Sequence, residues 1–440
     1  MKSNIDKIRK EILFLKKNFL KSSIKKKINI HLSSLIPFRY LIFLNLNLRR
    51  NLNSEILKKN FFYQLKNFFY IRKFSAIEFF GDFSYLKKNE KKKIIISWSY
   101  DKNFKGNGTY TDPYFKISSK DKKYLWVLIH EEEVPKNFKK NIILIHPKKG
   151  NIFLGTLNLL KYLFKLMSNN KFNINNITHQ FSYDSYLALE VYNFFKKKNL
   201  LKNVSSLHIP LESQPFQNTL INLAKRKKIV TFGYDHTCNP FPFYNNYSAN
   251  SPDKLKVHSN CSKKFYVENL NWPKNKVEKI PSLRFKKKNR SYYSNKIFLP
   301  IMLNSSTEII NRLETLFKDQ TQLNTRLFKV CLHPATKNIK KFMKLKVDMM
   351  KLQKKYLKIK KQKERNDISI HIGNTSTIIE SLEHGLEAIH ITSNDFFDFL
   401  SSNLWYSVKH VQLNEHIFSY KLKNFGHCVT FNIKKKRVIL

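Results

Sequence analysis

Acidic residues, glycine, proline and cysteine are all scarce in this chain of 440 residues. Only 9 glycines and 13 prolines leave little room for long linkers. The four cysteines contain no CxxC pair and no metal-ligand spacing, so neither a disulfide framework nor a zinc site is expected. A reducing cytoplasm fits this cysteine usage.

Long apolar runs are also missing. The most apolar early run, Leu41 to Leu48, is far shorter than the roughly 20 residues that a membrane-spanning helix needs. The stretch Phe153 to Met167 is interrupted by Lys161 and Lys165. The N-terminus has no uninterrupted apolar core followed by small residues, so no cleaved signal is expected. The sequence therefore predicts a cytoplasmic chain that is soluble or bound to the inner membrane face, without transmembrane helices.

Positive charge is the abundant feature. Lys and Arg number 82 against 31 Asp and Glu, which gives a net charge of +51 and a pI of about 10.0. Such an excess of positive charge is typical of a protein that binds nucleic acid or an anionic membrane. However, lysine is spread along the chain, and Lys, Asn, Ile and Phe are all heavily used, as an AT-rich coding sequence would produce. The sequence therefore favours solvated surface lysines that result from this composition over a nucleic-acid or membrane partner.

Hydrophobic residues at 42% and aromatics at 14% predict a folded protein, and the length favours two or three domains. The first 70 or so residues are Lys-rich with Ile, Leu and Phe at helical spacing. They predict a basic amphipathic helical extension, residues 1–75, that packs on the next domain or lies on a membrane. Two α/β domains are predicted to follow, residues 76–290 and 291–440.

Short apolar runs between polar turns, alternating with helical stretches, indicate parallel sheets covered by helices. In the first α/β domain the predicted strands are Ile94 to Trp98, Leu125 to Ile129, Ile142 to Ile145, Val204 to Ile209 and Ile229 to Phe232. The predicted helices there are Leu157 to Met167, Tyr186 to Lys197 and Phe216 to Arg226. In the second the predicted strands are Ile297 to Leu303, Leu327 to Leu332, Ile368 to Ile372, Ala388 to Ile391 and an edge strand Val408 to Leu413. Its predicted helices are Thr307 to Phe317, Lys340 to Lys361 and Ser376 to Glu383.

Two motifs of the second domain follow predicted strands. CLHPATKN places His333 before a proline that blocks immediate helix continuation, so the imidazole is expected at the sheet edge, where it can donate to a phosphate. HIGNTSTIIESLEHG, from His371, places Asn374, Thr375, Ser376 and Thr377 in a hydroxylated turn that opens a helix. Backbone N–H groups and the helix dipole favour an anion there.

A strand ending in His-Pro, followed after a crossover helix by a strand, a Ser/Thr-rich turn and ExxxxG, resembles the C-terminal half of GT-B glycosyltransferases, over about 130 residues. Bacterial sialyl- and polysialyltransferases and related surface-polysaccharide transferases share such motifs. The resemblance implies two Rossmann-like domains facing a central cleft. It also implies that His333 and the turn residues hold the phosphates of a nucleotide-sugar donor, with Glu380 near a ribose. No metal and no cofactor are expected.

The middle of the chain supplies candidates for a catalytic base. Glu212 ends one predicted strand, and Asp235 with His236 follows another, so all three are expected at the edge where α/β sheets place their chemistry. Each also has a structural alternative, as a helix cap, an ion-pair partner or a residue that orders its loop. Arg284 is expected near the cleft between domains, where a guanidinium neutralises a diphosphate.

The remaining polar stretches leave alternatives open. Ile96 to Phe115 is aromatic and polar, typical of an acceptor-binding loop or of an ordinary surface turn. Glu131 to Glu133 form an acidic cluster that favours capping over metal binding.

The leading hypothesis is transfer of a sugar from a nucleotide donor to a glycan or glycolipid acceptor of the capsule, O-antigen or lipooligosaccharide type, with peripheral membrane contact. A basic nucleic-acid-binding or RNA-modifying protein is the second hypothesis, although no nucleic-acid-binding signature is present. A non-catalytic partner in envelope assembly is the third.

Overall fold

The computed structural model describes residues 74–82, 92–149, 183–300 apart from 213, 239–244, 246 and 248, then 305–320, 328–356, 367–392 and 405–431, with a few isolated residues between them. The predicted N-terminal extension and most of the predicted helix Leu157 to Met167 lie outside these residues.

The described residues form two mainly parallel sheets with helices between the strands, which confirms the mixed α/β class. The first sheet has eight strands in the order β1-β4-β3-β2-β5-β6-β7-β8, and all its pairs are parallel except β1 with β4. Its strands are β1 (Phe74–Gly81), β2 (Lys92–Ser99), β3 (Tyr124–His130), β4 (Ile142–Lys149), β5 (Val204–Pro210), β6 (Val230–Tyr234), β7 (Lys254–Val257) and β8 (Val277–Lys279).

The second sheet has six strands in the order β10-β9-β11-β12-β14-β13. The first four in this order are parallel, and a hairpin closes the other edge in antiparallel pairing. Its strands are β9 (Lys296–Phe298), β10 (Lys329–Cys331), β11 (Ile368–Ile372), β12 (Glu387–Ile391), β13 (Val408–Asn414) and β14 (Ile417–Leu422).

Six helices are fully bounded within the described part of the chain: α1 (Tyr183–Lys197), α2 (Pro215–Arg226), α3 (Asn260–Asn269), α4 (Ser306–Asp319), α5 (Lys340–Lys355) and α6 (Thr377–Glu383). Local chemistry explains several of their starts. Pro215 occupies the first turn of α2, and the side chains of Ser259 and Ser305 accept backbone N–H bonds at the starts of α3 and α4.

Most elements predicted within the described residues are confirmed, some with different bounds, and several further elements were not predicted. The strand predicted over Ile297 to Leu303 ends at Phe298, and the helix predicted to Lys361 ends at Lys355. Strands β1, β7, β8 and β14 and helix α3 were not predicted. Each of these strands is recognised from its pairing with neighbouring strands, and not from an alternation of apolar residues in its own sequence.

The core continues from one sheet to the other. Buried side chains of the first sheet and of helices α1 to α3 form one cluster with Ile378, Leu382, Tyr420 and Val429 of the second half. A second cluster lies between β9 to β12 and helices α4 and α5.

Residues 426–431, which we call the returning segment, contact the first half of the chain. The carbonyl of His427 accepts from the Cys261 N–H at 3.0 Å, and the Thr430 N–H donates to the His258 carbonyl at 2.9 Å. The two halves therefore share packing as well as a linker.

Candidate functional site

Both sheets have a point where the strand order reverses, and some of the candidate residues follow the strands at these points. In the first sheet β2 leads to β3 and β4 on one side while β5 lies on the other, so Tyr100 and Glu212 follow the two strands that flank the reversal. In the second sheet β9 leads to β10 on one side and β11 on the other. Crevices at the carboxyl ends of such strands are where open α/β sheets bind ligands.

Glu212 is fixed in place by a buried amide. The Gln217 side chain accepts the backbone N–H of Glu212 at 2.9 Å and donates to the Pro210 carbonyl at 2.7 Å. It therefore spans the sharp connection between β5 and α2. The side chain of Glu212 is half-buried, with 31% of its surface exposed.

Glu212 and His236 form a close pair. His236 Nε2 lies 3.1 Å from a Glu212 carboxylate oxygen, and the imidazole is buried. Burial alone would raise the pKa of Glu212, but the hydrogen bond and charge of His236, with help from Gln214 and Arg284, hold this pKa below its ordinary value. Glu212 is therefore a carboxylate at neutral pH, and His236 orients it.

The side chain of Asp235 is buried, unlike that of Glu212. It is 3% exposed, and Thr237 donates to it through both its N–H and its hydroxyl at 3.3 Å. Burial raises the pKa of Asp235 to about 6, against the charge of His236 and these hydrogen bonds. The side chain of Asp235 therefore lies in the interior of the first half.

Arg284 joins the pair from the end of the first sheet. Its guanidinium donates to the His236 carbonyl at 3.2 Å. The same charge reaches His333, whose pKa is lowered by burial and then by Arg284 and Lys102. His333 follows β10 of the second sheet, whereas Arg284 and Lys102 belong to the first half, so positive charge of the first half acts on this histidine.

His333 is held by its own turn. The hydroxyl and the N–H of Thr336 donate to the His333 carbonyl at 3.0 and 2.9 Å, and Thr336 is fully buried. The Pro334–Thr336 turn of 3-10 helix begins directly after the histidine. The proline thus ends the strand region as predicted and leaves the imidazole half-buried.

The connection after β2 completes the cluster, and its side chains were not among the predicted site residues. The Tyr114 ring packs edge-on against His236, with ring centroids 4.4 Å apart. Lys102 lies over the Tyr100 ring at 5.3 Å. Tyr100 is 40% exposed, and the charge of Glu212 is among the causes, after burial, that raise its pKa.

A buried acid gives this connection its shape. Asp112 accepts the N–H groups of Tyr114 and Phe115 at 2.8 and 2.6 Å and the Tyr110 hydroxyl at 2.8 Å. Gly108 has a φ of +74°, and a Cβ there would lie 2.8 Å from the Phe138 backbone. The sequence allowed two interpretations of the stretch from Ile96 to Phe115, an acceptor-binding loop or a surface turn. In the structure its part after β2 is ordered by Asp112 and lies beside the Glu212–His236 pair.

The hydroxylated turn is ordered by a buried imidazole. His371 contacts the Thr377 hydroxyl at 2.9 Å, and Thr377 in turn contacts the Thr375 hydroxyl at 3.0 Å. Burial lowers the pKa of His371 well below its ordinary value, so the ring is neutral. These contacts of Thr375 and Thr377 stay within the turn and β11, while Asn374 is exposed and Ser376 is partly exposed.

Glu380 faces the linker between the sheets. It accepts a hydrogen bond of 2.5 Å from the Tyr293 hydroxyl. Its charge is among the causes, after burial and Asp235, that raise the pKa of Cys238 in the first half. Glu380 therefore lies at the junction of the two halves.

The acidic cluster at residues 131–133 serves the local structure, since Glu132 accepts the Asp101 N–H at 2.5 Å and the Glu133 carbonyl contacts His130 at 2.8 Å. All four cysteines are free. Within the described part of the chain, no group of three His, Cys, Asp or Glu side chains has the arrangement of a metal site. Nor is any helix in that part both long and apolar enough to cross a membrane.

No protein-family model and no curated protein matches this chain. Among solved structures it is similar to a glycosyltransferase from Rickettsia africae ESF-5, with a TM-score of 0.30 and 12% identity, over 70% of this chain and 86% of that one. A likeness of that size establishes neither a shared arrangement of domains nor a shared activity.

Proposed function

We propose that this chain is a GT-B-type glycosyltransferase that moves a sugar from a nucleotide-activated donor to a surface-glycan acceptor at the inner face of the cytoplasmic membrane. The observation that carries the proposal is that Arg284, which donates to the His236 carbonyl beside Glu212, lowers the pKa of both the half-buried Glu212 and His333, and Lys102 adds to the effect on His333. Glu212 follows β5 of the first sheet, and His333 follows β10 of the second.

The arrangement supports a division of labour in the transfer. Glu212 takes the proton of the acceptor hydroxyl as its oxygen attacks the anomeric carbon, and the bond from that carbon to the phosphate oxygen breaks. Arg284 and His333 stabilise the charge that develops on the leaving phosphate. His236 and Gln217 position Glu212, and the turn Asn374 to Thr377 and Glu380 complete the donor side.

A thermal-shift panel of nucleoside mono- and diphosphates tests the donor site. We expect one nucleotide to raise the melting temperature and His333→Ala to lose most of that gain. An exposed arginine on α2 provides the control, since Arg226→Gln should keep the full gain. Equal stabilisation of wild type and His333→Ala would remove His333 from the site. A steeply salt-dependent affinity for nucleic acid without any nucleotide effect would favour the second hypothesis instead.

A further inference from the structure

Helix α5 carries two apolar stripes, and only one of them is used by the fold. Phe342, Leu345, Met349 and Leu352 are buried in the core between α5, α4 and the second sheet. On another side of the helix, four large aliphatic side chains face solvent with nearly half of their surface exposed: Ile339 at 46%, Met343 at 45%, Val347 at 48% and Met350 at 46%.

These exposed residues form a continuous surface. Their spacing of four, four and three residues brings them onto one side of the helix, as an α-helix of 3.6 residues per turn requires. Ile339 is the residue before the first turn. Exposed lysines border the stripe, namely Lys340, Lys344, Lys351 and Lys354.

The charge around the stripe selects its partner. The helix sequence KKFMKLKVDMMKLQKK has lysine at seven positions and one acid, and the whole chain carries +51. A second copy of this chain would bring the same charge against itself. Nucleic acid would satisfy the lysines, but bases stack on aromatic rings, and this stripe is aliphatic.

We propose that the stripe Ile339, Met343, Val347 and Met350, with its bordering lysines, is a docking surface for an anionic lipid membrane. The phosphates of such a membrane pair with the ammonium groups, and its acyl boundary accepts the aliphatic side chains. Lysines on the polar side and aliphatic residues on the other are the pattern of a helix that lies in the plane of the interface.

The surface is close to the candidate site along the chain. Ile339 follows His333 by only six residues. The membrane contact itself is independent of the proposed transfer, because binding to vesicles requires neither donor nor turnover.

Co-sedimentation with vesicles tests this surface on the full chain. We expect binding to phosphatidylcholine vesicles that contain phosphatidylglycerol, weaker binding to phosphatidylcholine alone, and weakening by salt. The double variant Met343→Ser with Val347→Ser should lower the partition coefficient about tenfold. Lys344→Glu with Lys351→Glu should abolish the preference for the anionic vesicles. Val411→Ser removes a side chain of β13 that is 61% exposed, and it should bind as wild type.

Three results would overturn the proposal. One is wild-type binding by the Met343 and Val347 double variant. Another is equal loss in Val411→Ser, which would mean that any exposed apolar side chain contributes. The third is a change in oligomeric state or in oligonucleotide affinity caused by the double variant while its vesicle binding is unchanged. Since none of these requires catalysis, failure here leaves the thermal-shift test of the donor site standing.

Discussion

Glu212 and Asp235 are two carboxylates that follow neighbouring strands of one sheet, and their surroundings give them different properties. Glu212 is half-buried and paired with His236, which keeps it charged. Asp235 is buried, and its pKa is raised to about 6. The sequence places both residues at a sheet edge, but it does not tell which side chain is buried.

Replacing Glu212 separates chemistry from binding. Glu212→Gln keeps the contact with Gln217 through its backbone and removes the proton acceptor, so we expect kcat to fall about 10²- to 10⁴-fold. Nucleotide-induced stabilisation should stay near that of wild type. Turnover and thermal shift measured on the same sample check this. A variant with unchanged kcat would exclude Glu212 as the base.

Replacing Asp235 should affect stability instead. Its raised pKa means that the folded state favours the neutral carboxyl, so its stabilising contribution is present below the unfolded pKa of about 3.8 and is lost as the pH rises through about 6. The charged form costs on the order of 3 kcal/mol at neutral pH. We expect Asp235→Asn to raise the melting temperature at pH 7, to have little effect at pH 4, and to keep its turnover.

The pH profile of unfolding measures this directly. A large loss of turnover in Asp235→Asn with an unchanged melting temperature would contradict the assignment and return Asp235 to the list of bases.

Nucleotide binding should take up protons at His333. Burial, Arg284 and Lys102 keep its pKa below 6.5 in the free protein, and a bound phosphate would raise it. The affinity gained from protonation is therefore present at low pH and lost as the pH rises through the pKa of the bound state. Calorimetry in two buffers of different ionisation enthalpy should give different heats for wild type. Identical heats, or an equal difference in His333→Gln, would contradict this role.

At the scale of elements, the returning segment depends on one acid at the end of α6. Glu383 is buried and accepts the N–H groups of Gly426, Cys428 and Val429 at 2.5, 2.7 and 2.9 Å. Through this segment α6 is tied to α3 and to the end of the first sheet.

Removing that acid should loosen the contact between the halves. Glu383→Ala leaves three backbone donors without their acceptor, so we expect a loss of about 3 kcal/mol in the free energy of unfolding. Glu308→Ala removes a surface pair with Arg312 and should cost under about 1 kcal/mol. Urea unfolding distinguishes them. A similar small loss in both variants would show that Glu383 contributes little to this junction.

Elements with a strong apolar pattern of their own were predicted from the sequence. Strands that are defined mainly by pairing with neighbouring strands were not. The strand Ile368 to Ile372 has the predicted bounds, because five consecutive buried residues follow a polar stretch. Strand β7, KLKV, has only four residues with alternating lysines, and its place is fixed by pairing with β6 and β8. Similarly, the position of Tyr114 depends on the buried Asp112, which accepts its backbone N–H, and no sequence spacing reveals that contact.

At the scale of the whole molecule, the proposed site would combine residues that follow strands of both sheets. Arg284 and His333 are separated by the linker, strands β9 and β10 and helix α4, yet the charge of one lowers the pKa of the other. The sequence predicted that His333 would lie at a sheet edge and that Arg284 would lie near the cleft between the domains. The motifs alone do not say that the two edges share one ligand.

A double-mutant cycle on nucleotide affinity tests that central claim most directly. With His333→Ala, Arg284→Gln and both together, we expect each single variant to weaken binding of the stabilising nucleotide. The effects should differ from additivity by about 0.5–3 kcal/mol, since both side chains would contact the same phosphates. Strictly additive effects, or no effect of Arg284→Gln, would contradict a single anion site shared by the two sheets.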